Sequence, residues 1–444
     1  EHPQGERWKN LNYWCYNIEC EPPDKTTSLI KRGSAVSHLC KHLVSKGFQP
    51  DIILAHSAWG EALYLRTVFP KTPLVIYPEL WGTPEALGVG FDECLTPGSA
   101  DYSMTPADLT DLLLELECQN LVADLAISQS DSAVVPSTNQ INSFPSRLRP
   151  MLTLIPEGVD VHRILPSSAD VCLPSLPLLH RGDPIVTLVS RELEPLRGLR
   201  QALRAWPMIS RSCPNAQLVL VGGQDCGYGR EQPESGSHLA DALTALGPEV
   251  DRSRIHCPGR LNYPEMLHLL QRSTCHLALS YPYTLSWSTL EAMACGAPIV
   301  TNEGSPLSVE LVHGETGMII NFSSELELSN AVTRILQDQP TRTALATAGR
   351  KLIEQRFSLT LAVDRYEQLF QNLHRTHTGQ DPSAGLAITQ SSPDGVAGAK
   401  ASVLGTKESC LCRDPSEKRQ PKGEGPKSAN PSHQPDEHKQ CRQL

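Results

Sequence analysis

The stretch from Leu277 to Val300 constrains the fold more than any other part of the sequence, because it has the pattern of strand, loop, helix and strand. The apolar run Leu277–Leu279 predicts a short buried strand. Ser288 predicts the start of a helix, Glu291 three residues later completes a capping-box pattern, and Gly296 ends the helix. Such a unit directs a helix N-terminus at the carboxyl edge of a sheet, where its N–H groups and dipole favour an anion such as phosphate.

Glu291 has two interpretations. As the third residue of a capping box it would satisfy backbone donors and need no ligand. Alternatively, LEAMACGAPIV resembles the donor-binding signature of retaining glycosyltransferases of the GT-B fold, family 4. In that family this Glu accepts hydrogen bonds from the nucleotide ribose, and a second Glu eight residues earlier lies beside the transferred sugar. The second position is Tyr283 here, so the resemblance implies nucleotide binding with a changed contact to the donor sugar.

The loop YPYTLSWS between the predicted strand and helix is expected to shape the donor pocket. We predict that Tyr281, Tyr283 and Trp287 share one apolar cluster, with the Tyr283 ring suited to stacking on a sugar. The resemblance adds the next three residues to the donor-binding set: Thr284, Leu285 and Ser286.

The composition of the chain argues against several classes of protein. The chain has 444 residues, enough for two domains, and a formal net charge of −10, which argues against a nucleic-acid binder. No apolar run approaches the roughly 18 residues of a membrane span. The 14 cysteines lack the double CxxC spacing of a zinc site and are interpreted as reduced thiols of a cytoplasmic protein.

The first half of the chain alternates predicted helices and strands. Leu29–Gly47 has a helical apolar stripe, and Ile52–Ala55 and Pro73–Tyr77 have the apolar runs of buried strands. Asp111–Leu125 predicts a helix that runs into a short strand at Ala126–Ser128. This alternation indicates a parallel sheet with ligands at its carboxyl edge.

HSAWGE and PLVIYPELW resemble a bacterial branch of family 4. On that resemblance His56, Gly60 and Glu61 face the cleft, with His56 in a catalytic role, and Glu79 lies near the acceptor. Without the resemblance, a lone histidine after a strand is structural about as often as it is catalytic. GT-B enzymes open with an apolar strand and a glycine-rich turn, which this sequence does not show, so we expect the first domain to be incomplete at its start.

Two arginines open the second half. Pro184–Ser190 predicts a strand, Arg191 follows it directly, and Arg197 precedes the next predicted helix. Two loop arginines are usually only solvated, but cations between a strand end and a helix N-terminus can also clamp a diphosphate. SRELEPLRG resembles the corresponding segment of the family, which implies that both arginines contact the donor diphosphate and take part in catalysis.

A pair of glycines, Gly222 and Gly223, follows the predicted strand Gln217–Val221. We expect their bare backbone to allow a ligand to approach. The sequence after them, QDCGYG, has neither the Rossmann fingerprint nor a Walker lysine, which argues against a dinucleotide oxidoreductase.

These observations predict an α/β chain with two Rossmann-like parallel-sheet domains facing across a cleft, the GT-B architecture. The predicted divisions are an acceptor-side domain at 1–165, a linker at 166–183, a donor domain at 184–357 and a closing helix at 358–377. The remainder, 378–444, is rich in Gly, Ser, Pro, Lys and Gln and is predicted to be disordered.

The resemblance implies an enzyme that transfers a sugar from a nucleotide-sugar to a glycan, lipid-linked or small-molecule acceptor with retention of configuration, as in polysaccharide biosynthesis. No DxD-like motif is present, so neither a metal nor another cofactor is expected. Peripheral membrane contact is a further expectation, and nucleic acid is not expected as a partner. The alternative is a non-catalytic nucleotide-sugar-binding protein on the same scaffold, which Tyr283 and the incomplete first domain would favour.

Overall fold

The computed structural model describes residues 12, 14–18, 24–93, 105–173, 176–177, 179–180, 182–225, 227–228, 233, 235–248 and 250–379. The tail predicted at 378–444 therefore lies outside the described residues from 380 onward. No helix in the described ranges combines the length and the apolar character needed to cross a bilayer.

The first sheet has four parallel strands in sequence order: β1 (Ile53–His56), β2 (Leu74–Tyr77), β3 (Ser132–Val135) and β4 (Leu152–Leu154). Its helices are α1 (Lys25–Ser45), α2 (Leu65–Val68), α3 (Pro106–Ser128) and α4 (Thr138–Ser143). Because parallel strands share one direction, the residues that follow β1, β2 and β4 meet at one edge of this sheet.

The strand predicted at Ala126–Ser128 is wrong. These residues form the last turn of α3, and the strand comes four residues later, at Ser132–Val135. Ala126 and Ile127 are buried against the first sheet, so a helical turn with its apolar face on the core produced a short apolar run that sequence cannot distinguish from a strand.

The second sheet has six parallel strands: β5 (Ile185–Glu192), β6 (Gln217–Gly223), β7 (Ile255–Gly259), β8 (Cys275–Leu277), β9 (Ile299–Asn302) and β10 (Met318–Ile320). Their order is β10-β9-β8-β5-β6-β7. The chain runs outward from β5 to β7 and then returns to place β8 on the other side of β5. Ligands of such sheets bind where the strand order reverses, outside the carboxyl ends of β5 and β8.

Helices cover the second sheet: α5 (Leu199–Ser212), α6 (His238–Thr244), α7 (Tyr263–Arg272), α8 (Trp287–Ala294), α9 (Glu325–Gln337) and α10 (Gln339–Arg356). The last helix, α11 (Leu359–Thr378), returns to the first sheet. Its Leu369 and Leu373 are buried with Val75 and Val134 of that sheet. The chain therefore connects the two sheets twice. It passes from β4 to β5, and it returns to the first sheet through α11.

Candidate active site

The N-terminus of α8 lies at the point where the strand order of the second sheet reverses. The helix begins at Trp287 with Ser286 as its N-cap, and the Ser286 side chain makes no hydrogen bond to the first N–H groups. The predicted capping box is therefore wrong, because Glu291 is not at the third helical position. The Ser288 hydroxyl instead donates to the Val189 carbonyl of β5 at 3.1 Å, which fixes the start of α8 against that strand.

The Glu291 side chain is consequently available for another role. It accepts a hydrogen bond of 2.6 Å from the hydroxyl of Tyr263, the first residue of α7. Burial raises the pKa of the Glu291 carboxyl, and the bond from Tyr263 partly offsets this. A partly desolvated carboxylate held by one tyrosine is a good acceptor for further hydroxyl donors. Sequence reasoning missed Tyr263, whose position 28 residues upstream carries no signal of this pairing.

Arg197 lies beside the uncapped N-terminus of α8. Its guanidinium donates to the Ser280 hydroxyl at 3.1 Å and to the Thr284 carbonyl at 3.0 Å. Burial lowers the pKa of Arg197, because desolvation disfavours the charged form. Among the described residues, no carboxylate lies within ion-pair distance of this guanidinium. A desolvated cation with only neutral hydrogen-bond acceptors is a strong candidate for binding an anionic ligand.

A small pocket lies between Arg197 and the first turn of α8, and Glu291 is not among the residues that line it. Its floor is formed by the ends of β5 and β8, and its wall by Arg197 and the first turn of α8. Its polar lining consists mainly of hydroxyl side chains: Ser280, Thr284, Ser286, Thr289 and Ser305. Leu285 also contributes to the lining. Hydroxyls, uncapped N–H groups and a guanidinium all donate hydrogen bonds, so the pocket suits a ligand rich in oxygen acceptors.

The two arginines predicted as a clamp are connected through two tyrosines. Arg191 donates to the Tyr228 hydroxyl at 2.8 Å, and its guanidinium lies 5.5 Å from that ring's centroid. Tyr228 is 5.8 Å from Tyr283, ring to ring, and the Arg197 guanidinium lies 5.7 Å from the Tyr283 ring. The position that is Glu in the family signature thus holds an aromatic ring that lies between Arg197 and the Tyr228 ring and gains cation–π attraction from Arg197.

The predicted cluster of Tyr281, Tyr283 and Trp287 is confirmed for the two tyrosines, which pack in the same hydrophobic core, and is wrong for Trp287. Tyr281 is 1 % exposed and packs against Phe91 and Phe322, whereas Tyr283 packs against Tyr228 and Trp287 is 68 % exposed. The partners of Tyr281 and Tyr283 come from distant parts of the sequence, which local spacing cannot reveal.

Gly222 and Gly223 are required by packing within the protein. A Cβ at Gly222 would lie 2.8 Å from the Ser190 carbonyl oxygen, and one at Gly223 would lie 2.2 Å from a Glu192 carboxylate oxygen. Glu192 in turn pairs with Arg260. The space beside these two glycines is therefore filled by protein, and their contact with a donor stays a prediction.

The carboxyl edge of the first sheet brings His56 and Glu79 together. The His56 Nε2 atom is 3.3 Å from a Glu79 carboxylate oxygen, and the Ala58 N–H donates to His56 Nδ1 at 3.2 Å. Because Nδ1 accepts, the proton of the neutral ring is on Nε2 and points to Glu79. Both side chains are partly exposed, so they can exchange this bond for one to a ligand.

Glu79 has a strained backbone. Its φ of +60° makes it the one non-glycine residue in the left-handed region within the described chain. The Leu80 N–H donates to the Pro78 carbonyl at 2.8 Å, which closes a γ-turn centred on Glu79. The buried Gln140 amide donates to the Glu79 carbonyl at 2.9 Å and helps to hold this turn. Such strain persists where surrounding contacts enforce it, and it is common at functional sites.

A second carboxyl group, Glu157, lies at the end of β4. It accepts a hydrogen bond of 3.0 Å from the Tyr77 hydroxyl. Burial raises the pKa of Glu157, while hydrogen bonds from Trp287 and Tyr77 lower it. Trp287 is the first residue of α8, so a residue of the second half lies near this carboxyl group. Glu157 lies in the segment Pro156–Asp160 that follows β4, and it was not among the predicted site residues.

Gly60 and Glu61 have structural partners of their own. A Cβ at Gly60, whose φ is +93°, would lie 2.1 Å from the Leu29 carbonyl oxygen of α1. One Glu61 oxygen accepts from the Tyr16 hydroxyl at 2.7 Å. Gly60 is thus needed for the close approach of α1, and the acceptor-side role of both residues stays a prediction.

Comparison with known proteins identifies the family. The model described as glycosyl transferase family 4 group matches residues 23–164, and the model described as glycosyl transferases group 1 matches residues 177–352. The chain belongs to glycosyltransferase family 4. The first match covers the half of the chain that forms the first sheet, and the second match covers the half that forms the second sheet.

Individual relatives are distant. A GDP-mannose-dependent monoacylated alpha-(1-6)-phosphatidylinositol monomannoside mannosyltransferase from Corynebacterium glutamicum is 27% identical over 234 residues, which cover 50% of this chain and 57% of the relative. The chain thus spans about half the length of the curated relatives it matches.

Solved structures share the fold. Sucrose-phosphate synthase from Thermosynechococcus elongatus has a TM-score of 0.58 at 18% identity, covering 80% of this chain and 82% of that one. Anabaena HepE in complex with UDP and glucose has a TM-score of 0.54 at 18% identity, covering 79% and 84%. The predicted GT-B architecture of two parallel-sheet domains is confirmed.

Proposed function

We propose that this family-4 chain transfers a sugar from a nucleotide-sugar to a glycan, lipid-linked or small-molecule acceptor, with retention of configuration. The observation that supports this most is Arg197. It is a desolvated cation with neutral hydrogen-bond partners, beside an uncapped helix N-terminus at the reversal of strand order. That combination suits the diphosphate of a nucleotide-sugar.

The chemistry of the pocket is leaving-group stabilisation. When the bond between the anomeric carbon and the diphosphate breaks, negative charge grows on the departing phosphate oxygen. Arg197 and the first N–H groups of α8 are already oriented to stabilise that charge. Glu291, which accepts from Tyr263, takes the ribose hydroxyls. The mannosyltransferase relative is named for GDP-mannose and the HepE structure contains UDP, so the nucleotide proposed here is GDP or UDP.

The first sheet supplies the opposite wall. His56 donates through Nε2 and Glu79 accepts, so the pair can orient acceptor or sugar hydroxyls. Burial, followed by the charge of Glu79, raises the pKa of Tyr283. We assign to Glu79 the negative charge beside the anomeric carbon that the family signature would place at position 283.

A donor panel tests this proposal. Nucleotide release would be measured with UDP- and GDP-linked hexoses for the wild type and Arg197→Gln. The matched control is Arg211→Gln, an exposed arginine in the last turn of α5. We expect release from one donor class, a loss of roughly a hundredfold in Arg197→Gln, and no change in the control. Equal release by wild type and Arg197→Gln would contradict the proposal.

The non-catalytic alternative is favoured by one observation: position 283, which is Glu in the family signature, holds a tyrosine ring packed between Arg197 and Tyr228. A non-catalytic protein would bind the nucleotide without releasing it from any donor.

In the described part of the chain, no three His, Cys, Asp or Glu side chains come together as a metal site would need. Metal independence stays a prediction, with unchanged release in EDTA as its expected result. A cytoplasmic location with peripheral membrane contact also stays a prediction.

A further inference from the structure

The segment Gly88–Glu93 of the first half packs against the loop Tyr281–Ser288 of the second half, which we call the donor loop. Phe91 contacts Tyr281 and Phe322, with ring centroids 5.8 Å and 5.2 Å away. Gly304 completes the seat, because a Cβ there would lie 2.8 Å from the Phe91 ring, and its φ is +76°. The insertion of Phe91 thus depends on a position that is glycine for steric reasons.

Asp92 extends this contact with a buried charge. The residue is 2 % exposed, and one of its oxygens accepts from the Tyr281 hydroxyl at 2.6 Å. The same oxygen is 3.7 Å from a guanidinium nitrogen of Arg200 in α5. Both partners belong to the second half. Loss of these two partners would leave the Asp92 carboxylate buried and unpaired, which would strongly destabilise the fold. The segment and the donor loop therefore hold each other in one arrangement.

Tyr281 connects this contact to the donor pocket. Its backbone N–H donates to the Leu196 carbonyl at 3.0 Å, and its own carbonyl accepts from the Tyr283 N–H at 2.7 Å. Leu196 directly precedes Arg197, and Tyr283 carries the ring that faces the Arg197 guanidinium. A displacement of Tyr281 would therefore move both sides of the anion pocket.

We propose that Asp92 and Phe91 are positioning residues for donor binding: they hold Tyr281 from the other half of the molecule and thereby place Arg197 and Tyr283. This inference rests on the proposed function. It makes donor affinity dependent on a segment that does not line the pocket, since a pocket formed by the second half alone would lack the Asp92–Tyr281 bond.

Tyr281→Phe is the primary test, because it keeps the ring packing and removes the hydroxyl. We expect the donor KM to rise about tenfold, the effect of losing a hydrogen bond to a charged group. The kcat should fall by much less than the hundredfold expected for Arg197→Gln, because Arg197 is displaced but keeps its charge. Asp92→Asn keeps an acceptor oxygen for Tyr281 and should retain most of the affinity. The double variant should be no weaker than Tyr281→Phe alone, since without the Tyr281 hydroxyl the change at Asp92 has no bond to that residue left to alter.

The matched control is Asp131→Asn, another paired aspartate of the first half. Asp131 pairs with Arg66 at 2.6 Å and accepts from the Leu74 N–H at 2.7 Å, far from the donor loop in the hydrogen-bond network. The melting temperature of Asp131→Asn should fall, while its KM for the donor stays at the wild-type value. If Tyr281→Phe behaves in the same way, Asp92 is only structural and the inference is overturned. Additive effects in the double variant would overturn it as well.

A second readout separates this inference from the proposed function. Hydrogen exchange at Tyr283 and Thr284 should be faster in Tyr281→Phe than in wild type, whether or not the protein releases nucleotide. If no donor is turned over, the proposed function fails and exchange still decides the positioning role. If Tyr281→Phe does not fold, Gly304→Ala replaces it, with the same expected loosening because it displaces Phe91. Unchanged exchange in either variant would overturn the inference.

Discussion

Replacing Glu291 with Gln separates a ligand-binding carboxylate from a structural one. In the structure Glu291 caps nothing, and its visible partner is the Tyr263 hydroxyl at 2.6 Å. Gln keeps an oxygen that can accept from Tyr263 and removes a charge whose burial is unfavourable. We therefore expect the free energy of unfolding to change by about 1 kcal/mol or less.

The expected loss in binding is larger. Hydrogen bonds to charged groups contribute roughly 1.5–3 kcal/mol, against about 0.5–1.5 kcal/mol for neutral ones. Two ribose hydroxyls would thus lose about 2–3 kcal/mol in total when the carboxylate becomes an amide. That difference corresponds to a dissociation constant about 30- to 150-fold higher.

Calorimetric titration with UDP and GDP measures this constant, and thermal unfolding measures the stability of the same samples. Tyr263→Phe is the control, because it leaves the carboxylate intact and should weaken binding only a few-fold. A lower melting temperature with unchanged nucleotide affinity in Glu291→Gln would refute the reasoning and return Glu291 to a structural role.

Two further predictions follow from the same contacts. Tyr283→Phe keeps the ring beside Arg197 and should retain nucleotide release, whereas Tyr283→Glu removes the ring and should lower the release. Release seen only in the Glu variant would contradict the role given to Tyr283. His276 is fully buried beside the Thr187 hydroxyl, and burial lowers its pKa to about 3. The unfolded state therefore binds a proton that the folded state does not, so stability should fall by about 1.4 kcal/mol per pH unit below 6.5. Urea unfolding at pH 7 and 5 should show this slope in wild type and a smaller one in His276→Gln; equal slopes would be the contrary result.

The sequence pattern predicted the secondary structure around the donor pocket well. A strand precedes the loop, but it is Cys275–Leu277 and shares only Leu277 with the predicted run Leu277–Leu279. The run after Pro298 is a strand as predicted, and Gly296 ends α8 with a φ of +83°. These features depend on the local sequence: an apolar run, a proline that stiffens the chain and a glycine that adopts the left-handed conformation. Neighbouring residues alone determine them.

The start of α8 could not be predicted, because Ser286 and Ser288 are both good N-caps by sequence. The choice depends on a tertiary contact, the bond from the Ser288 hydroxyl to the Val189 carbonyl 99 residues away. Tyr281 is a similar case, since its hydroxyl partner Asp92 is 189 residues upstream. Site geometry of this kind is set by which elements the fold brings together, and a single sequence contains no direct record of that.

The central claim is that Arg197 and the N-terminus of α8 hold the donor diphosphate. Phosphorus NMR of bound UDP or GDP tests it most directly, because the resonance of each phosphate reports its own surroundings. We predict that the β-phosphate resonance shifts on binding to the wild type and to Arg211→Gln, and that this shift is lost in Arg197→Gln. A nucleotide that binds Arg197→Gln with the same affinity and the same β-phosphate shift as wild type would contradict the claim.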